Sequence, residues 1–138
     1  MRKYFILIII FPMFICCSTN NFTNNNPYIP NYSFTIDINM NLPSYSNLKF
    51  PSNGIYYAAV GARGIIIFNT GSGFNAFDAA CPNQTLGSCS TMTINGINAI
   101  CSCDNAEYSL FTGQSPGKQY PLKQYRVEVS GNILRVYN

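Results

Sequence analysis

The chain contains no histidine and no tryptophan, and only 9% of its 138 residues are charged. Without histidine there is no Ser-His-Asp or Cys-His nucleophilic site and no imidazole to ligate a metal or shuttle a proton at neutral pH. The five carboxylates, Asp37, Asp78, Asp104, Glu107 and Glu128, form no spaced acid–base pair in the sequence. Basic side chains are as sparse. The formal net charge of +3 includes Arg2 and Lys3; eight cations minus those two leave six against five anions from Ser18 onward. No basic patch points to nucleic acid, and no acidic run points to a cation sink. Helical periodicity is missing too, with no stretch supporting a helix of more than about two turns. What the chain does have is ten Tyr, ten Phe and ten Gly, and short apolar runs separated by Asn, Ser, Thr and Gly. That pattern implies an all-β domain with many turns.

The N-terminus reads as an address. Arg2 and Lys3 precede an apolar run from Tyr4 to Ile15, too short for the roughly 20 residues of a membrane-spanning helix. The run ends at Cys16-Cys17-Ser18. This resembles the loose form of the lipobox of bacterial lipoproteins, in which the lipidated cysteine becomes the first residue. The resemblance implies a signal peptide over residues 1–16 and lipidation of Cys17, because Cys16 supplies the small residue before the cut where Ile15 would not. Residues 17–31 are then the lipidated cysteine and a flexible, Asn-rich tether with little apolar surface to bury. The expected placement is the cell envelope, anchored to the membrane through lipid. No acidic cluster of the kind associated with surface export follows Cys17, which favours the periplasmic face. Such a compartment permits disulfides.

The folded domain is expected over residues 32–138. Tyr32, Phe34, Ile36, Ile38 and Met40 alternate with polar residues, the period of a half-buried strand that Pro43 ends. Leu48 to Pro51 begins a further short element. Ile55–Val60 and Ile65–Asn69 flank Gly61-Ala62-Arg63-Gly64 as a hairpin, and Thr70–Gly73 turns the chain into Phe74–Asp78. The Gly61–Gly64 stretch lacks the spacing of a dinucleotide fingerprint. Asn95-Gly96 between apolar runs predicts a hairpin with a type I′ turn. Tyr108–Phe111 is a short strand closed by Thr112-Gly113, and Gln124–Val129 and Ile133–Tyr137 form a last hairpin. Arg63 and Lys123 are expected to be solvated, and the Tyr and Phe residues to serve the sheet.

The stretch from Cys81 to Gly113 holds every cysteine outside the N-terminus: Cys81, Cys89, Cys101 and Cys103. Its first box reads Cys81-Pro82-Asn83-Gln84 and its second Cys101-Ser102-Cys103-Asp104. Tyr108, Thr112-Gly113, Pro121-Leu122, Tyr125, Val127, Val129 and Gly131 follow in register. From about Ile55 to the C-terminus these landmarks resemble the Rieske 2Fe-2S domain family, whose boxes often read Cys-Pro-His-Gln and Cys-Pro-Cys-His. The resemblance implies a Rieske-like antiparallel β-sandwich or barrel with a two-loop cysteine subdomain. It makes Cys81, Asn83, Cys101 and Asp104 the former ligand positions.

The departures decide the chemistry. A Rieske centre needs two His on one iron and two Cys on the other; here Asn83 and Asp104 stand in the His positions. Asn is a poor neutral ligand, and Asp is a hard oxygen donor less suited to iron–sulfur chemistry. Both are expected to be loop or turn residues. Two arrangements remain: a cluster held by Cys81, Cys89, Cys101 and Cys103, or those cysteines paired as disulfides. In disulfide-bearing members the second cysteine of each box bridges the loops. The resemblance therefore implies Cys89 with Cys103, although Cys89 sits three residues beyond the usual spacing. Cys81 and Cys101 are left at the former ligand positions, where a small movement converts two thiolates on one metal into a disulfide.

No catalytic constellation is expected. Cys101-x-Cys103 is not the C-x-x-C of a thioredoxin-like site at a helix N-terminus. The leading expectation is a lipid-anchored envelope domain that has lost its cluster, needs no cofactor, and acts as a disulfide-stapled binding or structural module with an unknown protein partner. The alternatives are an electron-transfer protein with an atypical 2Fe-2S cluster, ligated by cysteines alone or with Asp104, and a thiol–disulfide redox protein using Cys81 and Cys101.

Overall fold

A computed structural model describes residues 25–138. The proposed signal peptide and Cys17 lie outside the described residues. Among the described residues nine strands follow in chain order: β1 Thr35–Asn39, β2 Gly54–Tyr57, β3 Ile65–Asn69, β4 Phe74–Asp78, β5 Thr93–Asn95, β6 Asn98–Ile100, β7 Glu107–Ser109, β8 Gln124–Ser130 and β9 Ile133–Tyr137. They form a six-stranded sheet, order β1-β9-β8-β4-β3-β2, and a three-stranded sheet, order β5-β6-β7. Every strand pairing is antiparallel. The larger sheet curls into a half-barrel, and the all-β expectation holds. Among the described residues no helix is long and apolar enough to cross a membrane.

Strand β3 shows how the two parts share one core. All five of its residues are buried, which suits a strand covered on both faces. Side chains alternate across a strand. Ile65 and Ile67 therefore join Ile38, Leu48, Ala76, Tyr125, Leu134 and Val136 inside the curled sheet. Ile66 and Phe68 turn the other way, onto Phe77, Met92, Ala99, Tyr108, Leu110 and the cysteines Cys81 and Cys101. The cysteine subdomain is thus packed against the outer face of β3 and β4.

Several local expectations need correction. Strand β1 stops at Asn39, before Pro43, and Pro43 instead opens a 3-10 helix over Pro43–Lys49. Leu48, fully buried, lies in its last turn and does not start a new element. The β2 ladder stops at Tyr57, not Val60, because the following loop is held elsewhere. Ala62 and Arg63 donate their amides to the Asp78 carboxylate at 2.6 and 3.3 Å. Gly61 has φ +81 there, and a Cβ on it would lie 2.8 Å from Asp78 Oδ2, so a side chain is excluded on both counts. The β5–β6 turn is centred one residue later than expected. Asn95 pairs with Asn98, and of the two central residues, Gly96 and Ile97, only Gly96 has positive φ. Glycine first with an ordinary residue second fits a type II′ turn, not type I′.

Candidate functional site: the two cysteine loops

The first cysteine loop leaves β4 and is closed at its base by an antiparallel bridge between Ala80 and Thr91. Cys81 donates its amide to Ser90 O at 2.8 Å, and Met92 donates to Ala79 O at 2.7 Å. The second loop connects β6 to β7. Cys101 donates to Ala106 O at 2.9 Å, Asn105 donates to Cys101 O at 2.8 Å, and Asn105 takes the left-handed φ of 56° that Asn tolerates better than most residues. A third segment, from Gly113 to Leu122, runs alongside both. It is tied at its base by Leu122 N–H to Gly113 O at 2.7 Å.

Two disulfides join the loops. Cys81 is bonded to Cys101, with Cα atoms 5.6 Å apart. Cys89 is bonded to Cys103, with Cα atoms 5.1 Å apart. The first bridge is interior, each cysteine being 1% exposed. The second lies at the surface, with Cys89 exposed and Cys103 half-buried. The Sγ atoms of Cys81, Cys101 and Cys103 lie within 4.8 Å of one another. Gln84 Nε2 donates to Cys101 Sγ at 3.3 Å, and Ser90 Oγ stands 3.8 Å from Cys103 Sγ.

Asn83 and Asp104 are both in the loops, but each is tied into a network. The Asn83 amide pairs with the backbone of Tyr120 as a strand would. Its Oδ1 accepts from Tyr120 N–H at 2.9 Å, and its Nδ2 donates to Tyr120 O at 2.8 Å. The remaining Nδ2 hydrogen goes to Tyr108 Oη at 2.9 Å. Asp104 accepts from Ala106 N–H at 3.0 Å and from Lys118 Nζ at 2.6 Å. The Lys118 hydrogen bond leads in holding the Asp104 carboxyl below its ordinary range, and it raises Lys118 in turn. Burial raises the Tyr108 phenol. Asn83 and Asp104 thus each connect a cysteine loop to the 113–122 segment.

Sequence reasoning missed the residues that hold the loops from behind. Asp78, fully buried, also accepts from Ala80 N–H at 2.8 Å and Tyr125 Oη at 2.7 Å. Burial, with the Asp78 charge behind it, pushes the Tyr125 phenol far up. The one sequence signal was a carboxylate ending the strand Phe74–Asp78. The expectation that Arg63 and Lys123 are solvated is overturned. Arg63 Nη2 donates to Gly87 O at 2.9 Å, pinning the β2–β3 loop to the first cysteine loop. Lys123 is 2% exposed, and burial lowers its pKa. Its amine donates to Pro30 O at 3.2 Å and to Asn31 Oδ1. Residues 25–31, expected as free tether, are partly packed: Ile29 is 3% exposed and Asn26 Nδ2 donates to Pro82 O at 2.8 Å.

No family model matches the sequence, and no curated protein matches it. Solved structures do match. A chain of the complex of reduced oxygenase and oxidized ferredoxin in carbazole 1,9a-dioxygenase aligns with TM-score 0.50 and 20% identity, covering 76% of this chain and 92% of that one. The ferredoxin of carbazole 1,9a-dioxygenase from Nocardioides aromaticivorans IC177 aligns with TM-score 0.44 and 15% identity, over 63% of this chain and 86% of its own. The Sphingomonas yanoikuyae B1 ferredoxin gives 0.46 and 13%, over 64% and 88%. With its curled six-stranded sheet and its three-stranded subdomain, the chain has a Rieske-like fold, matched at TM-score 0.50 by the chain from the carbazole 1,9a-dioxygenase complex.

Proposed function

We propose that this is a Rieske-like domain that has lost its 2Fe-2S cluster and acts as a disulfide-stapled binding module. One observation carries the reading: all four former ligand positions have found protein partners. Cys81 and Cys101 are bonded to each other. Asn83 is engaged by Tyr120 and Tyr108, and Asp104 by Lys118 and Ala106. A Rieske cluster asks for two imidazoles and two thiolates, and these residues as they stand do not fit it. The reading needs no cofactor and assigns no catalytic residue. In the carbazole dioxygenase structure a ferredoxin stands in a complex with an oxygenase; by analogy a protein partner is assigned here, with its identity open.

The anchor belongs to the same proposal. The basic Arg2-Lys3, the apolar run and Cys17 support a lipidated N-terminus at the cell envelope, facing the periplasm. An oxidising compartment is consistent with two disulfides in one small domain.

A second reading has its own observation. The sulfurs of Cys81, Cys101 and Cys103 lie within 4.8 Å of one another, a grouping that thiolates use to hold iron–sulfur clusters. In that reading the protein is an electron carrier. Iron content and the visible spectrum of protein purified anaerobically separate the two. The stapled module is colourless, iron-free and unreactive to thiol reagents at Cys81, Cys89, Cys101 and Cys103. Stoichiometric iron with visible absorbance overturns it in favour of the carrier.

A further inference from the structure

We propose that the two disulfides form a relay for thiol–disulfide exchange, in which an external dithiol attacks the surface bridge and the released Cys103 thiolate attacks the interior one. The inference rests on the reading that all four loop cysteines are oxidised. Its ground is the contrast between access and proximity. The interior Cys81–Cys101 bridge is 1% exposed at each cysteine, so no dissolved thiol reaches it directly. The surface bridge is reachable at Cys89. Cys103 belongs to the surface bridge, yet its sulfur is within 4.8 Å of both interior sulfurs.

The neighbouring donors give the exchange a direction. Attack at the exposed Cys89 sulfur makes Cys103 the leaving thiolate. Ser90 Oγ accepts from Gly87 N–H at 2.7 Å, which leaves its own proton for Thr85 O at 3.5 Å or for the Cys103 sulfur at 3.8 Å. In the second step Gln84 Nε2, 3.3 Å from Cys101 Sγ, stabilises negative charge on that sulfur. A hydrogen-bonded sulfur is the better leaving group, so Cys103 attacks Cys81 and Cys101 departs. The Cys103–Cys81 bond forms as the Cys81–Cys101 bond breaks, the electron pair passes to Cys101, and solvent protonates it. The dithiol's second thiolate meanwhile displaces Cys89. One dithiol is oxidised to its disulfide and one protein bridge is reduced, leaving Cys81–Cys103 bonded with Cys89 and Cys101 as thiols.

Full-length protein is treated with less than one equivalent of dithiothreitol, quenched in acid, alkylated and mapped by peptide mass spectrometry. The expected first product carries label on Cys89 and Cys101 and a Cys81–Cys103 bridge. Label on Cys89 and Cys103 with Cys81–Cys101 intact overturns the relay, as does any other first pairing. Gln84→Met slows the second step about threefold or more while Cys89 opens at the unaltered rate; equal second-step rates also overturn it. Iron, or label on these cysteines before reductant is added, marks failure of the stapled reading itself, and the relay falls with it.

Discussion

At the scale of single residues, Asn83 and Asp104 have structural work in the cysteine loops. The Asn83 side chain satisfies both backbone groups of Tyr120 and the Tyr108 hydroxyl. Asn83→Ala leaves those groups without partners at a part-buried position, so the expected loss is about 1–3 kcal/mol in denaturant unfolding. An unchanged midpoint would show that the network is slack. The Asp104–Lys118 pair predicts a pH dependence. The folded Asp104 carboxyl sits below its ordinary 3.8, chiefly through the Lys118 hydrogen bond. A depressed acid contributes stability that is present above the unfolded value and lost as pH falls through the folded one. Lys118 is raised above 10.5, so its contribution is present below that value and lost as pH rises through the folded one. Lys118→Met should therefore melt below the parent between about pH 4 and pH 10 and converge with it in stronger acid. A gap that persists in strong acid would assign the effect to packing of the lysine stem.

At the scale of elements, the two bridges tie together loops that leave different sheets. The Cys89–Cys103 bridge spans a sequence separation of 14, for which loop-closure entropy gives about 3 kcal/mol. The double variant Cys89→Ala/Cys103→Ala is expected to lose about that much in chemical denaturation, and unchanged melting would count against a stapling role. The same loops show what was legible in the sequence. Boxes, turns and strand periods are local, and β1, β3, β4, β8 and β9 were recognisable within a few residues of their observed limits. The parts that were not legible depend on contacts distant in sequence. Lys123 is buried because residues Pro30 and Asn31 return to cover it across 93 and 92 residues of sequence. The β2 strand is short because Asp78, on β4, takes the amides of the β2–β3 loop. Asn83 looked like an ordinary loop residue because its partner, Tyr120, lies 37 residues on. Apolar periodicity carries no record of such polar pairings.

At the scale of the whole molecule, two cores meet at strands β3 and β4. The half-barrel core inside the curled sheet and the second core under the cysteine loops are both complete in side chains. If ligand substitution is what removed the cluster, restoring the donors should restore uptake, subject to the bridges. Asn83→His/Asp104→His recreates two imidazoles beside Cys81 and Cys101, but those two sulfurs are bonded to each other. Oxidised variant should therefore take up no iron. After reduction and reconstitution with iron and sulfide it should show the visible absorbance of a two-His, two-Cys cluster. The parent chain under the same treatment should remain colourless, because its only soft donors there are the cysteines and its other two positions are held by Tyr120 and Lys118. Equal uptake by the parent would mean that the cysteines alone suffice, and would return the molecule to electron transfer. Uptake by neither would mean that the loops, tied together through Asn83 and Asp104, do not offer the geometry that a cluster needs.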